Sequence, residues 1–240
     1  MSNVRQPQAD ALIPNPQKQP ARRWTLGQAL MEWELLVRLY ESRLWRRSFV
    51  WQALFGLSFE NEYSMIASAL GLTGARSVLD LACGPGIYAR RFAAELATGT
   101  VTGMDLSWPM LRYAADKSRR ARLDNLALVR GDATKLPFRE ELFDAVNCCG
   151  ALHLFPDVGR TLSEIRRVLK GGGRLALAVF RCGDAAIAHV RARIRQRLYG
   201  IGAFSPGDLA SRLEAAGFVK PQCLHAAGLW LVMSAQKEAA

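Results

Sequence analysis

The chain has 240 residues, half of them hydrophobic and 22% charged, with a formal net charge of +11. This profile fits one soluble globular domain with an extension, and the lack of any apolar run near the ~20 residues of a membrane span excludes an integral membrane protein. The five cysteines, Cys83, Cys148, Cys149, Cys182 and Cys223, are scattered without a CxxC pair or a histidine companion, so the expectation is reduced thiols in a cytoplasmic protein and no metal site.

The basic charge suggests acidic partners such as nucleic acid or anionic lipid. The arginines, however, are spread along the chain at 22–23, 46–47, 90–91, 119–122, 166–167 and 191–197, as expected for solvated helix faces.

Residues 1–23 carry Pro14, Pro16 and Pro20 without hydrophobic periodicity and read as a disordered tail. No basic start followed by an apolar stretch marks a signal peptide. From 24 to 74 the apolar residues fall in helical clusters (Leu30, Leu35, Leu36, Leu39, Leu44, then Trp51, Leu54, Phe55, then Met65, Ile66, Leu70), interrupted at Gly56 and Ser58. Two or three helices fit this stretch, which holds four of the six tryptophans. Either a core-facing cap or a substrate lid would produce that composition.

Beyond Gly74 short apolar strands at 77–81, 100–105, 126–130, 143–149 and 173–180 alternate with helices at 87–97, 107–118, 157–169 and 184–199. Strands separated by helices imply parallel βαβ units. Gly171-Gly172-Gly173 is read as the stop of the helix before the fifth strand. Pro206 opens a further helix that stops at Gly217, and the runs 218–224 and 229–235 form a hairpin. The predicted fold over 75–240 is therefore α/β and doubly wound, a mostly parallel seven-stranded sheet with an antiparallel C-terminal hairpin and an N-terminal helical extension.

In such a sheet ligands bind beyond the carboxyl ends of the strands, at the switch point. There the chain places Asp80, Gly84 and Gly86 after the first strand, and Asp105, nineteen residues beyond Gly86, at the end of the second. Gly131-Asp132-Ala133 follows the third strand and Cys148-Cys149-Gly150-Ala151-Leu152-His153 the fourth. A carboxylate at Asp105 is spaced to accept both hydroxyls of a ribose. No phosphate-binding lysine accompanies the glycines, and a carboxylate before the turn suits a ligand that is cationic near the loop.

Five stretches in order, "VLDLACGPG" (78–86), "GMDLSWPML" (103–111), "GDATKLPF" (131–138), "FDAVNCCGALHLF" (143–155) and "LSEIRRVLKGGGRLALAVF" (162–180), carry a resemblance that extends from about Ser77 to the C-terminus. The chain resembles the class I S-adenosylmethionine-dependent methyltransferases of the small-molecule type that includes the ubiquinone and menaquinone C-methyltransferases. The resemblance implies a Rossmann-like methyltransferase fold and S-adenosyl-L-methionine as cofactor. It also implies that Asp80, Cys83, Gly84 and Gly86 shape the methionine end, Asp105 holds the ribose, Leu106 and Met110 line the adenine, and Asp132 and Ala133 face its amino group. Cys83 stands where the family often has glycine, and Cys149 would border the cofactor from the fourth strand.

His153, just past the fourth strand, is the candidate catalytic residue, as a base or as a wall of the acceptor site. The implied partner is a small hydrophobic methyl acceptor, a quinone, lipid or polyketide. A nucleic-acid substrate is disfavoured, because Asn147-Cys148-Cys149-Gly150 replaces the Asn/Asp-Pro-Pro-Tyr turn of exocyclic-amine enzymes. The alternatives left open are an RNA or protein methyltransferase, and a cofactor-binding protein without turnover. Ile187, Val190, Ile194 and Leu198 share one face of the helix predicted over 184–199, among arginines 191, 193, 195 and 197, compatible with a peripheral membrane contact.

Overall fold

The computed structural model describes residues 49–74, 77–96, 98–183, 194 and 200–239. The tail, the first part of the cap and, apart from residue 194, the helix expected over 184–199 lie outside them.

Among the described residues two helices come first, α1 (Phe49–Phe55) and α2 (Phe59–Leu70), separated where the sequence places its breaks. Gly56 takes a left-handed φ of 66°, and the Ser58 hydroxyl accepts from Asn61 N at 3.2 Å as the N-cap of α2. Phe59, Tyr63, Ile66 and Leu70 recur at helical spacing and form the buried face of α2.

The alternation that follows is β1 (Ser77–Leu81), α3 (Ile87–Glu95), β2 (Thr100–Asp105), α4 (Trp108–Arg120), β3 (Leu126–Arg130), β4 (Phe143–Cys149), α5 (Val158–Val168), β5 (Leu169–Phe180), α6 (Pro206–Ala215), β6 (Phe218–Ala227) and β7 (Trp230–Lys237). The strands form one seven-stranded sheet in the order β3-β2-β1-β4-β5-β7-β6. β1 to β5 pair in parallel, and β7 lies antiparallel between β5 and β6. The order reverses between β1 and β4, so the crevice forms at their carboxyl ends.

Along the fifth strand the two faces of the sheet are sorted by side-chain size. Along β5, Leu175, Leu177 and Val179 face Leu162 and Ile165 of α5 and Leu209 and Leu213 of α6, while Ala176 and Ala178 face the cluster containing Ile66 and Leu70 of α2. The period-two pleat gives this sorting, and the alanines leave room for the aromatic-rich face of α2.

One expected boundary changes. The glycine run does not stop the helix: α5 ends at Val168 and β5 begins at Leu169, so the three glycines lie inside the strand span. A Cβ at Gly173 would come within 2.8 Å of the Lys170 carbonyl oxygen, so the chain folds tightly on itself there, where the β4–β5 register also shifts.

Candidate active site

At the end of β1 the chain turns through Ala82, Gly84 and Gly86, all with positive φ, and Gly86 N donates to Cys83 O at 2.9 Å. Gly86 is the N-cap of α3 and supplies no side-chain acceptor, which leaves the first turn's N–H groups in need of partners. Asp80 provides one. Its Oδ2 accepts from Ala89 N at 2.9 Å, while Oδ1 accepts from Asn147 Nδ2 at 2.7 Å. The Cys149 thiol in turn donates to Asn147 Oδ1 at 2.9 Å, so a polar chain joins β4, β1 and α3. At 2% exposure Asp80 lies beneath the glycine turn and sets its shape.

Asp105 joins the first loop to the second. Its Oδ2 accepts from Gly84 N at 2.7 Å and its Oδ1 from Ser107 N at 2.8 Å. Ser107 then caps α4, accepting from Met110 N at 3.5 Å. The third loop hangs from the second: Gly131 N donates to Asp105 O at 3.0 Å and Arg130 Nε to Leu106 O at 3.0 Å. Asp132 closes a local turn, with its Oδ1 accepting from both the Thr134 N–H and hydroxyl at 2.9 Å. That is the turn-fastening role short polar side chains favour.

Met110 is buried, with Leu106 and Ala133 partly so. A Cβ at Gly84 would meet Met110 Sδ at 4.0 Å, which puts the thioether over the glycine turn. Cys83 packs away from the turn: a Cβ at Gly103 of β2 would lie 3.1 Å from its Sγ. Burial pushes the Cys83 thiol well above its ordinary pKa, and Asp105 and Asp80 raise it further; burial and then Asp80 do the same for Cys148. Neither thiol is an anion at neutral pH, which removes both as nucleophiles. The carboxylates of Asp80 and Asp105 place negative charge at this end of the sheet.

The β4 side is built differently. After Gly150, with φ 80°, a 3₁₀ turn at Leu152–Leu154 buries His153 at 4% exposure. Its ring lies 4.3 Å from that of Phe180, the last residue of β5, and 6.4 Å from that of Trp230. Phe55 from the end of α1 completes the group, 5.1 Å edge-on to Trp230 and 6.3 Å from Phe180. The Trp230 indole is fixed in turn by Glu62 of α2, whose Oε1 accepts its N–H at 3.2 Å.

The structure thus brings Asp80, Gly84, Gly86, Asp105, Leu106, Met110, Asp132 and Cys149 to one end of the sheet, linked through three loops. His153 stands on the neighbouring aromatic wall. The sequence reading missed Asn147 as the partner of Asp80, although an asparagine inside the apolar run of β4 was a signal. It also missed Phe55, Phe180 and Trp230 as one group, which no local pattern could have joined. Among the described residues no helix is long and apolar enough to cross a membrane.

A methyltransferase domain model matches residues 79–177. An uncharacterized chloroplastic methyltransferase of Arabidopsis thaliana is 30% identical over 175 residues, 71% of this chain and 48% of the relative. A demethylmenaquinone methyltransferase of Lactiplantibacillus plantarum is 45% identical over 100 residues, 41% of this chain and 42% of its own length. The phthiotriol/phenolphthiotriol dimycocerosates methyltransferase of Mycobacterium leprae is 35% identical over 140 residues, 57% and 50% of the two chains. The chain spans about half the length of these curated relatives.

Among solved structures, a SAM-dependent methyltransferase of Aquifex aeolicus superposes with a TM-score of 0.64 at 19% identity, covering 85% of this chain and 97% of its own. The cyclase SpnF superposes equally well, with a TM-score of 0.64 at 20% identity over 75% of this chain and 80% of its own. The fold alone therefore does not fix the chemistry. A cofactor that carries a sulfonium and an ammonium but no phosphate fits a glycine cradle set between two carboxylates, Asp80 below it and Asp105 beside it. Fold, loop chemistry and the matched domain agree: residues 79–177 carry a methyltransferase domain, and the chain is similar to the class I S-adenosylmethionine-dependent methyltransferases.

Proposed function

We propose that the chain methylates a small hydrophobic acceptor held against the aromatic wall of Phe55, His153, Phe180 and Trp230. The observation that carries this reading is the position of that wall, at the carboxyl ends of β4 and β5 beside the loops of β1 to β3. The names of two relatives, one a demethylmenaquinone and one a phthiotriol dimycocerosates methyltransferase, support an apolar acceptor.

Bound S-adenosylmethionine supplies an electrophilic methyl group. The residues of the chain align and shield. The loop from Ala82 to Gly86 cradles the methionine end, Asp105 is the ribose acceptor, and Leu106 and Met110 bound the adenine. Asp132 and Ala133 close the base side, and Cys83 and Cys149 fill the space behind. Rings at the wall exclude water and orient an electron-rich acceptor, which contributes several kcal/mol to such a displacement. His153 acts in this reading as a wall residue, because its buried ring is packed on Phe180.

The test is incubation of the purified chain with methyl-labelled S-adenosylmethionine and a cell extract, followed by separation of lipid, nucleic acid, protein and small molecules. Label in the lipid or apolar small-molecule fraction is expected. Label in RNA or protein would replace the acceptor class, and cofactor binding without any transfer would leave a binding protein.

A further inference from the structure

A groove of about 360 Å³ lies on the sheet face that α2 covers, between the second half of α2 and strands β5, β6 and β7. It is separate from the site already described: Arg174, which lines it, stands six residues before Phe180 along β5, about 20 Å from the aromatic wall at ~3.3 Å per strand residue. That volume suits a small molecule. Two cations line the groove, Arg174 and Lys220, and no carboxylate does. Among the described residues neither cation's side chain has an ion pair or a hydrogen bond. Their like charges therefore repel across the groove with nothing to offset them.

The backbone gives each cation its place. Lys220 has φ 51°, a left-handed conformation inside a strand, where β6 advances three residues from Val219 to Gln222 while β7 advances two from Gln236 to Ser234. Such a bulge re-aims a side chain, and a residue other than glycine is strained in that conformation. Arg174 depends on a glycine instead. A Cβ at Gly71, the C-cap of α2, would come within 2.5 Å of its Nη1, so the missing side chain makes room for the guanidinium. The carbonyl end of the helix also favours a cation there. Between the two, Ser68 and Gln222 offer neutral donors, while Met65 and Leu224 form an apolar stretch.

We propose that this groove binds a small organic phosphate, with Arg174 and Lys220 on the phosphate oxygens and the organic part along Met65 and Leu224. A guanidinium, an ammonium, a hydroxyl and an amide around one groove offer more donors than the two oxygens of a carboxylate use. A phosphate brings three terminal oxygens and close to two charges. Its arrival turns one repulsion between cations into two attractions. The phosphate belongs either to a free ester or to a lipid headgroup, and the chemistry of recognition is the same for both.

The experiment is calorimetry of the full chain with inorganic phosphate, phenyl phosphate and benzoate, beside sedimentation with vesicles containing phosphatidic acid and a parallel titration with S-adenosylmethionine. Phenyl phosphate is expected to bind more tightly than inorganic phosphate, and benzoate more weakly than either. Arg174→Gln and Lys220→Gln should each weaken phenyl phosphate about tenfold and leave cofactor affinity unchanged. Lys220→Gly should bind as weakly yet melt no lower than the wild type, because glycine adopts φ 51° without strain. Sedimentation that these variants lose would make a lipid headgroup the source, and binding of phenyl phosphate without sedimentation a free ester. Failure of the wild-type chain to bind either phosphate or the vesicles, affinities unchanged in the variants, or benzoate binding as tightly as phenyl phosphate would each overturn the proposal.

Discussion

At the ends of β1, β2 and β3 the loops are stitched by charged hydrogen bonds from Asp80 and Asp105, whereas past the ends of β4 and β5 and at the start of β7 the contacts are ring on ring. Charged hydrogen bonds demand particular distances and angles, so a loop held by them is organised before any ligand arrives. Aromatic packing tolerates shifts of a few tenths of an ångström and rewards area rather than direction. The proposed reading, a cofactor beside an apolar acceptor, calls for those two kinds of construction, side by side on one sheet.

The largest effect should come from cutting the stitch that is buried deepest. Asp80→Ala strands the Ala89 N–H and the Asn147 amide, each at about 1–3 kcal/mol, so unfolding in urea should show a loss of about 3 kcal/mol or more. Asp80→Asn, which keeps one acceptor, should lose less. An unchanged midpoint in either variant would mean that the loop does not depend on Asp80.

Next comes Asp105. Its replacement by Ala removes the proposed ribose acceptor and frees Gly84 N, and calorimetry should show S-adenosylmethionine affinity about ten- to a hundredfold weaker. The opposite half should respond to shape instead of charge. His153→Ala is expected to lower turnover roughly tenfold through a misplaced acceptor, and His153→Gln to restore most of it. If His153 were a base, Gln would fail and the wild-type rate would rise with pH along a limb that the variant would lack.

The smallest effect concerns the brace behind the third loop. Arg167 holds the Glu164 carboxyl below its ordinary pKa of 4.5, chiefly by hydrogen bonding to it, and Leu136 N donates to the same carboxylate at 2.8 Å. A depressed pKa stabilises the fold above the ordinary value and is lost as pH falls through the folded one. Glu164→Gln should therefore cost under about 1 kcal/mol at neutral pH and flatten stability against pH below 4.5. Equal acid sensitivity of variant and wild type would assign the acid limb to other carboxylates.

Much of this architecture was legible beforehand, since period-two strands and 3.6-period helices bury one face each and leave that pattern in the chain. β1 to β4 follow the expected spans, and the hairpin closes the sheet as its turn residues suggest. β5 starts earlier than expected, because a glycine run marks flexibility without saying whether a helix ends or a strand bends there. Asp80 illustrates a deeper limit. A carboxylate at a strand end looks the same in sequence whether it meets a ligand or caps the next helix, and only the position of Asn147 on the adjacent strand separates the two. The aromatic wall was invisible for another reason, as its members stand at 55, 153, 180 and 230 and only strand order brings them together.

The clasp between α1 and the hairpin also orders events in time. Leu54, Phe55 and Glu62 leave the ribosome well before their partners Leu229, His225 and Trp230. The first helices therefore wait, with their apolar faces unsealed, through synthesis of nearly the whole sheet, and contacts so distant in sequence form slowly. Nascent chains stalled before Trp230 should expose the α2 surface to chaperones, and release of the hairpin should be the step that ends that exposure.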